Sequence, residues 1–131
     1  MNISRRKPLK RTDRVAIFLA LGLVLLSLLP AAWMPSGLLS WLGGDKVLHG
    51  VAYAIVGMFA LYARKRFGTA FLTALSLLYL SGLVELFQAE LGRSSDITDL
   101  AANGIGLAIS GMIVASWKLA LDATSPRARR T

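Results

Sequence analysis

Residues 85–103 read ELFQAELGRSSDITDLAAN. Acids, an amide, an arginine and hydroxyls crowd together here as nowhere else in the chain. Apolar runs lie on both sides: GTAFLTALSLLYLSGLVELFQA at 68–89 and TDLAANGIGLAISGMIVASWKLAL at 98–121. Either run, as a helix, is long enough to cross the ~30 Å hydrocarbon core of a bilayer. Ionisable groups at a membrane boundary are costly unless paired or wetted, so by default such an island marks a working site.

Working outward, residues 46–63 form a third apolar run, KVLHGVAYAIVGMFALYA, near the short limit for spanning. Residues 15–34, VAIFLALGLVLLSLLPAAWM, form a fourth, with Pro30 near its end and Trp33 and Trp41 bracketing the exit as interface anchors. The chain thus predicts an all-α integral membrane bundle of four transmembrane helices, with short connections that make sequence neighbours antiparallel. The organisation is a basic tail at 1–14, disordered or lying on the surface, a membrane domain at 15–121 and a second basic tail at 122–131. A cleaved signal peptide competes for the first run. Pro30 would then hold the −3 position for cleavage after Ala32, which fits the small-x-small rule poorly. Residues 35–44 are a turn-rich connector, and Asp45 stands where the N-cap of the next helix belongs.

The chain is 55% hydrophobic, above the roughly 45–50% of soluble domains. Its net charge of +8 could suggest nucleic acid, but the basic residues flank apolar runs and have no interleaved aromatics on which bases could stack. Lys and Arg fall as six before residue 15, one at Lys46, three at 64–66, one at Arg93 and four from Lys118 onward. That alternation places both termini in the cytoplasm. Arg64, Lys65 and Arg66 read as a topology signal. With no cysteine in the chain, disulfides and thiolate-bound metals are excluded.

This topology sorts the ionisable groups. Asp45, Lys46 and His49 open the second helix, Glu85 and Gln88 close the third, and Asp96, Asp99 and Asn103 open the fourth, with Arg93 in the loop between. All belong to one outward-opening layer, closed toward the cytoplasm. The remaining interior carries no charge, which argues against an ion or proton path across the whole membrane. Glu85 and Gln88 are neighbours at i, i+3. A buried Glu85 needs either a raised pKa or a cation from His49, Lys46 or Arg93, and the pair serves as a polar clamp or as a site. His49 has three readings: a tie between helices, an acid/base or binding group, or a metal ligand, for which the chain has no H-E-x-x-H spacing. Asp96 and Asp99 either cap the fourth helix or belong to the site. Arg93 binds lipid phosphate or pairs with an Asp. Ala102, Gly106 and Ser110 form a small-xxx-small ladder for close helix packing, with Asn103 beside it. No metal or cofactor is implied.

The ordered set Asp45-Lys46-x-x-His49, Glu85-x-x-Gln88 and Arg93-x-x-Asp96-x-x-Asp99-x-x-x-Asn103-x-x-Gly106 resembles the VanZ-like family of small bacterial multipass membrane proteins. The resemblance covers residues 45–106. It implies a place in the bacterial cytoplasmic membrane. It also implies a link to the cell envelope and to antibiotic resistance, since the founding member is associated with low-level resistance to the lipoglycopeptide teicoplanin. It carries no catalytic assignment. Three functions stay open: an envelope protein that binds an amphiphilic or lipid-linked ligand, a membrane-embedded enzyme acting on such a substrate, and an assembly subunit using the small-residue ladder. The oligomeric state is not readable from the sequence.

Overall fold

A computed structural model describes residues 10–29, 44–91 and 96–124, except the Asp45 side chain. The described residues form helices α1 (Arg11–Ser27), α2 (Asp45–Tyr62), α3 (Phe67–Glu90) and α4 (Ile97–Thr124), and no strand. Arg93, Trp33, Trp41, the Ala32 cleavage position and the outer parts of both tails lie outside the described residues.

The bounds of α2, α3 and α4 fall close to the apolar runs. α1 is displaced from its run at 15–34. It starts at Arg11, inside the segment read as a tail, because charge does not stop a helix. Asp13 sits in its first turn, where negative charge complements the helix N-terminus. It ends at Ser27, and the Leu28 N–H still reaches the Val24 carbonyl at 3.0 Å. Pro30 follows at once; a proline lacks the N–H a helix needs and biases the residue before it away from helical geometry. The start of α2 also differs from expectation. Gly44 is the N-cap, at φ 94°, and Asp45 is the first helical residue. A side chain is strained at that positive φ and glycine is not.

Two pairs of contacts set the helix directions. Asp13 in α1 meets Arg64, beyond the end of α2, while Gln88 near the end of α3 meets the Ser27 carbonyl at the end of α1. The bundle therefore has an Arg64 end and a Lys46 end. Helices α2 and α4 run from the Lys46 end; α1 and α3 run toward it. The closest packing is between the parallel pair α2 and α4, and small residues cause it. A Cβ on Gly106 would run into the backbone of Gly50 and Ala54, and one on Gly57 into the Ser110 side chain. The ladder on α4 is thus met by Gly50, Ala54 and Gly57 on α2.

Polarity is reversed relative to a soluble bundle, where helices turn polar faces outward. The residues α3 buries are Ser81, Glu85 and Gln88, at i, i+4 and i+7 on one face. Its exposed residues include Phe67, Phe71, Leu72, Tyr79, Leu86 and Phe87. α4 buries Asp99, Asn103 and Ser110 beside Gly106, Leu107 and Val114. A short apolar core of Val56, Ala60, Leu61, Leu107 and Val114 joins α2 to α4. Both α3 and α4 are long and apolar enough to cross a membrane; their 24 and 28 residues span about 36 and 42 Å.

Candidate functional site

Polar side chains from α2, α3 and α4 meet at the Lys46 end. Lys46 and His49 lie in the first turns of α2, with Tyr53 one turn further on the same face. Ser81, Glu85 and Gln88 come from the last turns of α3. Asp96 precedes α4, and Asp99 and Asn103 lie one and two turns into it.

Lys46 is the hub of the outer rim. Its Nζ lies 2.6 Å from Asp96 Oδ2 and 3.2 Å from Asp99 Oδ1. The Lys46 and Asp96 side chains keep 54% and 41% of their surface exposed, whereas Asp99 keeps 7%. Asp99 is therefore the floor of the trio and Lys46 its accessible lid. Asp96 also caps α4, its Oδ1 accepting the Thr98 N–H at 2.9 Å. The Lys46 ammonium foremost, and then Thr98, hold the Asp96 carboxyl well below the usual carboxylate range. Of the two expected caps, Asp96 alone does the capping; Asp99 turns inward to Lys46.

Glu85 is buried and accepts the Asp96 backbone N–H at 2.7 Å. Of the cations expected for it, Lys46 pairs with Asp96 and Asp99 instead, and Arg93 lies outside the described residues. Glu85 so does for the α4 cap what a capping-box Glu does from within a helix. Gln88 does not act with Glu85. Its amide turns to α1 and donates to the Ser27 carbonyl at 2.7 Å, satisfying a carbonyl that the end of a helix leaves open.

Deeper in, His49 Nδ1 lies 3.2 Å from Asn103 Oδ1, and Asn103 Nδ2 donates to Ser81 Oγ at 2.5 Å. Because a carbonyl oxygen only accepts, Nδ1 carries the proton in this arrangement. Buried Tyr53 of α2 lies beside Ser81. The chain His49–Asn103–Ser81 thus runs from α2 to α4 to α3, with Tyr53 of α2 beside its end. Asn103 is 2% exposed, so it is a linker between helices as well as a neighbour of the packing ladder.

Neither Tyr53 nor Ser81 stands among the site residues expected from the sequence. Both had a signal: Tyr53 stands four residues after His49, and Ser81 four before Glu85. Arg93 lies outside the described residues, as does the Asp45 side chain. Among the described residues, no group of three His, Asp or Glu is placed to hold a metal ion.

The Arg64 end is built differently. Arg64 Nη2 lies 2.6 Å from Asp13 Oδ1, tying the α2–α3 connection to α1. Lys118 donates to the carbonyls of Leu61 and Arg64 and lies 5.9 Å from the centre of the Tyr62 ring. Arg64 is thus a structural tie as well as a basic flank. A cavity of about 630 Å³ opens here between α3 and α4.

Comparison of the chain with family models, with curated proteins and with solved structures finds no match in any of the three.

Proposed function

We propose that this chain is a multipass protein of the bacterial cytoplasmic membrane. Four helices span the bilayer, both termini face the cytoplasm, and the Lys46 end forms a binding site at the outer surface. The reversed polarity carries the reading. α3 buries Ser81, Glu85 and Gln88 while it turns phenylalanines and leucines outward. In water that would expose a large continuous apolar surface, whereas in lipid it costs nothing. The lysine–arginine alternation supplies the orientation.

The ligand that suits the site is amphiphilic or lipid-linked, with a polar head that reaches the exposed Lys46–Asp96 rim from the membrane surface. The VanZ-like resemblance of residues 45–106 points the same way, toward altered access of lipoglycopeptides to the envelope. Binding is favoured over catalysis by the state of the acids. Asp96 and Asp99 are held by Lys46, and Glu85 accepts a backbone N–H, so the acids are engaged in holding the helices. An assembly role would need a surface other than the α4 ladder, which α2 of the same chain occupies.

The test is a set of substitutions at Lys46, His49, Glu85 and Asp99, each scored for membrane abundance and for teicoplanin-type susceptibility. Lys46→Ala should change susceptibility at unchanged abundance. Normal susceptibility in cells lacking the gene would remove the resistance role. Reporter fusions after residues 65 and 93 should report opposite sides of the membrane; the same side for both would refute the four-span topology.

A further inference from the structure

The groove between α3 and α4 at the Arg64 end follows from side-chain size. Ala70 and Ala74 on α3 face Gly104, Ala108, Gly111 and Ala115 on α4, and the two walls leave about 630 Å³ unfilled. Leu78 closes the far end, with its Cδ1 3.8 Å from where a Cβ on Gly104 would lie. From Phe67 to Leu78 the groove runs about 16 Å along α3. That is about half of a ~30 Å hydrocarbon core, the depth of one leaflet. The lining is almost wholly apolar until the mouth, where Arg64, Lys65, Arg66 and Lys118 converge with Asp122 as the one acid. Asp13 neutralises Arg64. Lys65 and Arg66 are exposed and make no ion pair among the described residues. The mouth therefore keeps a net positive charge. Among the described residues, the buried Arg64 Nε has no hydrogen-bond partner.

We propose that this groove seats one anionic phospholipid of the inner leaflet. An acyl chain fills the small-residue cleft, and the phosphate sits on Lys65, Arg66 and Lys118. The proposal rests on the four-span reading, which puts the Arg64 end at the cytoplasmic surface. Water would not fill an apolar cleft open to hydrocarbon, and lipid chains would. A basic mouth on that side selects anionic head groups. The groove's one-leaflet depth and its charge together argue for a lipid over a second copy of the chain, whose own basic flank would meet the same positive mouth.

The experiment is native mass spectrometry of the full-length chain in mild detergent, stripped of lipid and titrated with phosphatidylglycerol or phosphatidylethanolamine of the same chain length. Phosphatidylglycerol should bind at one copy per chain and more tightly, and free glycerol phosphate should not displace it. Lys65→Gln and Arg66→Gln should each cut the preference about fivefold. Ala108→Phe, which fills the cleft, should abolish binding of both lipids, and the milder Ala115→Leu should weaken it. Met112→Phe, on an exposed position of α4 outside the groove, should change nothing. Equal binding of the two lipids overturns the proposal. So does full retention by monodisperse Ala108→Phe and Ala115→Leu proteins, or a dimer that these variants break. Carbonate extraction of the native membranes separates this from failure of the span reading. A chain that stays in the membrane yet shows no lipid preference refutes the lipid alone; one that is released refutes both.

Discussion

Asn103 concentrates the consequences of a single side chain. Its carbonyl oxygen faces half-buried His49 Nδ1, and its amide donates to buried Ser81. Hydrogen bonds between membrane helices average only about 0.6 kcal/mol, so loss of one bond is a small effect. Asn103→Leu would do more, because it removes both bonds at once and takes from the buried Ser81 hydroxyl the amide that donates to it. The expected loss is about 1–2 kcal/mol, read as thermal unfolding in detergent. Ser81→Ala should cost less, since it leaves the His49–Asn103 contact in place. Asp96 adds a pH dependence. Its carboxyl is held below the ordinary value, so its contribution is complete above about pH 4 and is lost as pH falls through the depressed value. A melting profile taken from pH 6 downward should show the onset of that loss below about pH 4 in the native chain, and Asp96→Asn should show less of it. The candidate site was legible to the extent that its members carry charge. Lys46, Asp96 and Asp99 announce themselves in an apolar chain. Ser81 does not, because one serine in a long apolar run has no chemistry until packing buries it.

Helix pairing shows the same limit. The spacing of Ala102, Gly106 and Ser110 marks a close-packing face on α4, but spacing cannot name the partner. The partner is α2, through Gly50, Ala54 and Gly57, residues that look like ordinary small members of an apolar run. The two sides differ in what an added methyl would strike. On Gly106 it meets backbone, which cannot yield; on Gly57 it meets side chains only, the Ser110 hydroxyl, which can rotate, and the Ser110 Cβ and a Leu107 methyl at 3.1 Å, which must give by a few tenths of an ångström. Gly106→Ala should therefore destabilise by about 1–3 kcal/mol, the range for overpacking, and Gly57→Ala by clearly less. Membrane abundance and midpoint of unfolding would check the order, and equal effects would count against this packing. Helix bounds were legible for α2, α3 and α4, where hydropathy and helix end together. They were not for α1, since the first turn is charged and the last is set by Pro30 rather than by hydropathy.

Across the whole molecule the two ends are held by different forces. At the Lys46 end, a network of amide, hydroxyl and charged groups bridges α2, α3 and α4. At the Arg64 end, α3 stands away from α4 along an apolar groove, and the ties are Asp13–Arg64 and Lys118 to two carbonyls. None of these ties reaches the side chains of α3. The first half of α3, residues 67–78, thus has few partners, whereas residues 81–88 place three buried side chains in the network. Local opening follows local contact density, so the stability of α3 should be graded along its length. Hydrogen exchange in detergent should find amides of 67–78 exchanging faster than those of 81–88. Adding phosphatidylglycerol should slow the first segment and leave the second unchanged, because the lipid would supply the missing wall. Arg64→Lys should keep the orientation of the chain, since the charge count is preserved. It should speed exchange at the start of α1, because a flexible ammonium holds Asp13 less firmly than the rigid guanidinium that now meets it. Uniform exchange along α3 would mean that the groove is closed by something already in the protein, and the asymmetry between the two ends would lose its basis.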